Sequence, residues 1–165
     1  MNSRRILGAA ILFCAATPCH AKPAKPRCAP PLAPGAIAVA IDTKPGAYTI
    51  VTPIPATVTL ANQSAAPVLI PALMEPEDYW LRFDIKDKDG KLIAYSGPEI
   101  NAMDQHRTTF LLPGYSFGKK FANVAALYPI AIPGRYTLQA VYGKSPTRDC
   151  DLGEHRSNIV ELVLE

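Results

Sequence analysis

One stretch near the C-terminus decides the fold: Pro133-Gly134-Arg135-Tyr136-Thr137-Leu138-Gln139-Ala140-Val141-Tyr142. A Pro-Gly turn signal opens it, and apolar side chains then occupy every second position. Tyr136, Leu138, Ala140 and Tyr142 therefore share one face. A period of two is typical of a β-strand that buries one face and exposes the other.

The same alternation recurs along the chain. Other predicted strands cover residues 37–41, 56–61, 68–70, 108–112, 116–122 and 159–164. Residues 80–95 predict a β-hairpin, because an alternating strand runs into the turn pair Asp89-Gly90. Residues 124–127 are the one helical turn that we expect. Short strands separated by Pro and Gly predict an all-β chain that folds as a single two-layer antiparallel β-sandwich of about seven to nine strands.

The N-terminus has the pattern of a secretory signal. Arg4 and Arg5 precede an uncharged apolar stretch, and Ala21 offers a small residue for cleavage. An uncleaved membrane anchor is the alternative, although the apolar stretch is short for a bilayer. We therefore expect a signal peptide at residues 1–21, a Pro-rich leader at 22–35 and the sandwich at 36–165. The mature chain would be periplasmic or secreted.

Cysteines and charge agree with that compartment. Cleavage would leave Cys28 and Cys150, which we expect to form one disulfide, the alternative being a metal or redox pair. The whole chain has 17 Lys and Arg against 14 Asp and Glu, and loss of Arg4 and Arg5 would leave 15 against 14. So balanced a charge gives no reason to expect nucleic acid as a partner. No later apolar run is long enough for stable membrane insertion.

Three segments resemble bacterial immunoglobulin-like or fibronectin-III-like sandwich domains: residues 133–142, residues 157–164 and the turn Leu112-Pro113-Gly114-Tyr115-Ser116. The resemblance spans roughly residues 56–165. That group includes exported proteins, the bacillar intracellular proteinase-inhibitor domain and sandwiches attached to secreted metallopeptidases. The resemblance implies an immunoglobulin-like sandwich and transfers no catalytic residue, because such sandwiches host many functions.

One predicted contact site is the segment before the hairpin. Glu75, Glu77, Asp78, Tyr79 and Trp80 combine acids with aromatic residues of the kind enriched at interfaces. We expect this loop to contact a protein, peptide or glycan. The alternative is that Trp80 only covers the open end of the sandwich.

A second candidate is a soft-metal site. Met103 and His106 lie in a polar loop, and thioether and imidazole ligands suit copper. His155 would join them if its own segment, expected to be a loop between the last two strands, folded toward them. A charged loop without metal is the alternative.

The sequence contains no His-Glu-x-x-His and no phosphate-binding glycine loop, and we expect no catalytic residues and no cofactor. A non-enzymatic interaction module is the favoured function. The alternatives are a peptidase inhibitor that presents residues 97–107 and a periplasmic copper-binding carrier.

Overall fold

A computed structural model describes residues 32–44, 46–72, 74–76, 80–98, 108–144 and 151–165. Within these ranges the chain forms nine β-strands and one short 3-10 helix at Val124–Ala126. The strands are β1 (Ile37–Thr43), β2 (Ala47–Tyr48), β3 (Ala56–Asn62), β4 (Val68–Pro71), β5 (Leu81–Lys86), β6 (Thr108–Leu111), β7 (Ser116–Phe121), β8 (Gly134–Lys144) and β9 (Asp151–Leu164). The prediction of an all-β fold is confirmed. The expected signal peptide, Cys28 and Cys150 lie outside the described residues.

The strands form three sheets. One has the order β1-β3-β7, a second has the order β2-β9-β8-β5, and a small third sheet pairs β4 with β6. All neighbouring strands are antiparallel except β2, which runs parallel to β9. The chain therefore passes from one large sheet to the other between β1 and β2, and this links the two layers near its start.

The two large sheets share one hydrophobic core. Val58 and Leu60 of β3 are fully buried, as is Leu138 of β8 on the opposite sheet. Phe83 of β5 meets Phe121 of β7 edge to face, with ring centroids 5.1 Å apart. These contacts cross from one sheet to the other, which is the packing of a sandwich.

The deciding stretch behaves as its alternation predicts. Tyr136, Leu138, Ala140 and Tyr142 of β8 are all buried. Near the start of this strand, the Tyr136 hydroxyl donates a hydrogen bond of 2.7 Å to the carbonyl oxygen of Ile132, four residues upstream. The ring is thus buried while its one polar atom is satisfied by the preceding turn.

The predicted hairpin is only partly correct. Its turn forms, with Gly90 at φ +77°, a backbone conformation that favours glycine. The returning segment is not a strand, however, and it joins β5 through a single bridge between Lys86 and Leu92. The other edge of β5 pairs along its whole length with β8, so the main pairing partner of β5 is a strand distant in sequence.

A second correction concerns the C-terminal segment. Glu154, His155 and Arg156 were expected in a loop, but they lie within the 14-residue strand β9. The strand continues through them because β8 offers backbone partners that far, with two irregularities in register along the way. Tyr142 of β8 lies directly opposite His155.

Candidate functional site

The predicted contact loop is described only at its two ends. Trp80 is 6% exposed, and its carbonyl oxygen accepts a hydrogen bond of 2.9 Å from the amide of Gly143. Glu75 forms an ion pair with Lys119 of β7. Burial of Trp80 favours the alternative in which this side chain closes the end of the core. Glu77, Asp78 and Tyr79 lie outside the described residues.

Of the three predicted copper ligands, His155 alone lies within the described residues. Met103 and His106 lie outside the described residues, as does most of the segment 97–107 expected for an inhibitor. His155 lies on β9, and Tyr142 opposite it is buried, which raises the pKa of its hydroxyl. In the ranges that the structure describes, no group of three or more His, Cys, Asp and Glu residues could hold a metal ion.

Four charged side chains form a closed ring on the outer face of the second sheet. Arg82 donates to Asp84 at 3.0 Å and to Glu154 at 3.2 Å. Arg156 completes the ring, donating to Glu154 at 2.7 Å and to Asp84 at 3.0 Å. It also donates to the side-chain oxygen of Gln139 at 3.0 Å. We call Arg82, Asp84, Glu154 and Arg156 the ion-pair ring.

The lowered pKa of Glu154 indicates that the ion-pair ring has a structural role and does not transfer protons. Burial raises the pKa of Glu154, but hydrogen bonds from Arg82 and Arg156 and their charges outweigh it, so the pKa lies below its ordinary value. The carboxyl therefore stays ionised at neutral pH. Val141 lies in register between the two arginines and is nevertheless buried, since long arginine stems can cover an apolar neighbour.

Exposed apolar side chains concentrate at one turn of the sandwich. Phe110 is 67% exposed, Leu112 47% and Tyr115 64%, and all three belong to one segment of six residues. We call these three side chains the tip surface. Large apolar groups that gather on an exposed surface commonly mark an interaction site.

The backbone beneath the tip surface is fixed by hydrogen bonds. Tyr115 donates its amide to Leu112 at 3.0 Å, and Gly114 between them has φ +74°, as a type II turn with proline at its second position requires. Asn62, at the end of β3, bonds through its own backbone to Gly114 and Tyr115, both at 3.0 Å. The turn is therefore tied to the three-stranded sheet and does not hang free.

Asn62 also uses its side chain to hold this region. Its amide nitrogen donates at 2.8 Å to the carbonyl oxygens of Ala66 and Leu111, and its amide oxygen accepts from the backbone and hydroxyl of Ser64. The residue is 2% exposed. One buried amide thus joins the ends of β3 and β6 and the turn at Ser64.

The sequence contains a signal for the tip surface that is not a motif. Residues Phe110-Leu111-Leu112 are three consecutive apolar positions in the strand predicted at residues 108–112, so they cannot all face one core. Leu111 is buried, and its two neighbours are exposed. A strand with apolar residues on both faces is the pattern that could have indicated an outward-facing apolar surface.

An open groove of about 390 Å³ lies at the other end of the three-stranded sheet. Each of the three strands lines it with two residues, among them Asp42 of β1, Thr57 of β3 and Lys120 of β7, and Lys44 lines it as well. The groove is open to solvent, so it is better suited to contact with a surface than to enclosing a small molecule.

Comparison with known proteins leaves the family open: no family model matches this chain, and neither does any curated protein. Among the described residues, no helix combines the length and the apolar character needed to cross a bilayer.

Proposed function

We propose that this chain is an exported, non-enzymatic binding module that presents the tip surface to a protein or peptide partner. The observation that carries the proposal is the exposure of Phe110, Leu112 and Tyr115 at the end of β6 and on the hydrogen-bonded turn that follows it. Aromatic side chains have only two rotatable bonds, so they lose little conformational entropy when a partner covers them.

An immunoglobulin-like identity is supported by strand order. In immunoglobulin domains, strands A, B and E lie in one sheet and strands C, F and G in the other. In this chain β1, β3 and β7 occupy the first three places, and β5, β8 and β9 the second three. The hydrogen bond from Tyr136 to Ile132, at the start of the strand in the F place, has the form of the tyrosine corner of such domains.

The chemistry of the tip surface favours a protein or peptide over a glycan. Phe110 and Leu112 have no polar atom in the side chain, and Pro113 lies between Leu112 and the turn glycine. Such groups gain by being covered with other apolar groups, whereas sugars also require hydrogen-bonding partners. Export remains supported by the secretory pattern of residues 1–21.

Site-specific photo-crosslinking in the producing cell tests the proposal. A photoreactive amino acid is placed at Tyr115 and, as a matched control, at Ile159 on the outer face of the other sheet, since the two side chains are 64% and 62% exposed. We expect a defined protein adduct from position 115 and none from position 159. The change Leu112→Ser should reduce the adduct severalfold without unfolding the domain. Equal adducts at both positions, or none at 115, would contradict the tip surface as a binding site.

A further inference from the structure

The outward face of the sheet β1-β3-β7 differs from that of the other large sheet. Most outward positions of β1, β3 and β7 carry short side chains, whereas the outward face of the other sheet carries the ion-pair ring. The short residues are Ala38, Ala40, Thr57, Thr59, Ala61, Ser116 and Gly118. No long side chain rises from the middle of this face, so another flat surface can approach the backbone closely.

Charges of opposite sign stand at two sides of this face. Asp42, Thr57 and Lys120 lie in one cross-strand row, because Asp42 pairs with Thr57 in register and Thr57 pairs with Lys120. Two strand spacings, about 9.6 Å, separate the aspartate from the lysine. Both are exposed, and neither forms an ion pair with another described residue.

This row is complementary to itself under a two-fold rotation. When the rotation axis lies along β3 in the plane of contact, β3 faces β3 and the two outer strands exchange sides. Asp42 of one copy then faces Lys120 of the partner subunit, and the same pair forms a second time across the axis. Thr57 faces its own copy in the centre, where two short side chains leave room for the approach.

From this geometry we infer that a second copy of this chain docks on the outward face of β1-β3-β7. The interface is isologous, with two Asp42–Lys120 ion pairs across a two-fold axis. Aligned packing of twisted sheets crosses the strands at about 30°, and the four-carbon stem of Lys120 can accommodate that offset. The tip surface is not required for this contact, so self-association and partner binding are separate properties.

The size of the face determines the strength of the dimer. Three strands of about six residues give an area of roughly 14 Å by 20 Å, about 280 Å² per copy. A standard stable interface buries about 800 Å² per partner. The dimer is therefore weak, and exposed ion pairs at its rim determine orientation more than affinity.

Charge reversal with sedimentation analysis tests the inference. The mature chain is measured from about 10 µM to about 1 mM at low salt, where exposed ion pairs are least screened. We expect the average mass to rise with concentration toward that of a dimer. Asp42→Lys and Lys120→Asp should each remove the rise, because like charges then face each other twice, and the double variant should restore it. Lys86→Asp, on the other sheet, is the matched control and should associate like the unaltered chain.

Each alternative result overturns the inference. A chain that stays monomeric at about 1 mM does not dock on itself. Association that persists in both single reversals uses another face, and loss of association in Leu112→Ser would identify that face as the tip surface. A double variant that remains monomeric, while its circular dichroism matches that of the unaltered chain, excludes the Asp42–Lys120 pairing.

Discussion

Replacing Asn62 by alanine tests whether one buried amide holds the turn end of the sandwich. The side chain makes four hydrogen bonds, and the residue is 2% exposed. Each such bond contributes about 1 kcal/mol on average, and a buried partner left unsatisfied, such as the carbonyl oxygen of Leu111, costs more. Partners near the surface recover water in part. We expect Asn62→Ala to lower the free energy of unfolding by about 3 kcal/mol.

Aspartate at the same position makes the test more specific. Aspartate keeps the shape of asparagine, but a carboxylate oxygen replaces the amide nitrogen. The two N–H groups that donate to the carbonyl oxygens of Ala66 and Leu111 are lost, and an acceptor faces those oxygens instead. The change also places a negative charge in a buried site. We expect Asn62→Asp at pH 7 to cost more than Asn62→Ala. Burial should raise the pKa of the new carboxyl above its unfolded value of about 3.9. The extra loss should therefore be present at neutral pH and diminish as the pH falls through the raised pKa, because the protonated acid can donate again.

Urea denaturation measures both effects. With a slope of about 2 kcal/mol per molar urea, a loss of 3 kcal/mol lowers the midpoint by about 1.5 M. Gln63→Ala is the matched control, because Gln63 is the exposed neighbour, and its midpoint should change by no more than about 0.25 M. A midpoint for Asn62→Ala within the range of that control would show that the Asn62 side chain does not stabilise this end of the sandwich. An alanine and an aspartate variant of equal stability at every pH would contradict the expected cost of a buried charge at this position.

Three further changes test other contacts of the fold. Tyr136→Phe removes the 2.7 Å hydrogen bond to Ile132 and should lower the free energy of unfolding by about 1 kcal/mol, measured by urea denaturation. An unchanged free energy of unfolding would show that this hydrogen bond does not stabilise the fold. Glu154→Gln tests the ion-pair ring: since the pKa of Glu154 is lowered, its contribution is present above the ordinary value of 4.5 and is lost as the pH falls through the folded pKa. The variant should thus be less stable at pH 7 and lose less stability on acidification, and parallel pH profiles would contradict this. Asn158→Ala removes both 3.0 Å hydrogen bonds to the backbone of Ile41. Hydrogen exchange at the Ile41 amide should therefore accelerate by about tenfold or more. Unchanged protection of this amide would show that the edge of β1 is stable without Asn158.

Local pattern was a good guide to which residues form strands. The alternation in β8 and in β1 correctly predicted the buried faces, and the short strand predicted at residues 68–70 is present as β4. The turn at Gly90 was also predicted correctly. These features depend on the conformation of a residue and its immediate neighbours, which is information that a sequence carries directly.

Which strands pair with each other could not be predicted from local sequence pattern. The segment after Gly90 had the composition of a strand, but it joins β5 through a single bridge, and the strand that pairs along the whole length of β5 is β8, on its other edge. The two-residue strand β2 exists only because β9 runs beside it. Glu154 was expected in a loop because its segment is polar, whereas backbone pairing with β8 continues the strand through it.

An all-β chain, its turn positions and the inward face of its main strands can be predicted from the sequence, since these follow from periods of two and from the backbone preferences of glycine and proline. Which charges meet and which apolar groups remain outside depends on how the strands are arranged in the folded chain. Arg82 and Glu154 are 72 residues apart and become neighbours through β8, which pairs with the strands of both. Asp42 and Lys120 share a row because β3 lies between their strands. The physical reason is that side-chain direction is a local property of the backbone, whereas contact between strands depends on sheet order and register, which the whole chain sets when it folds.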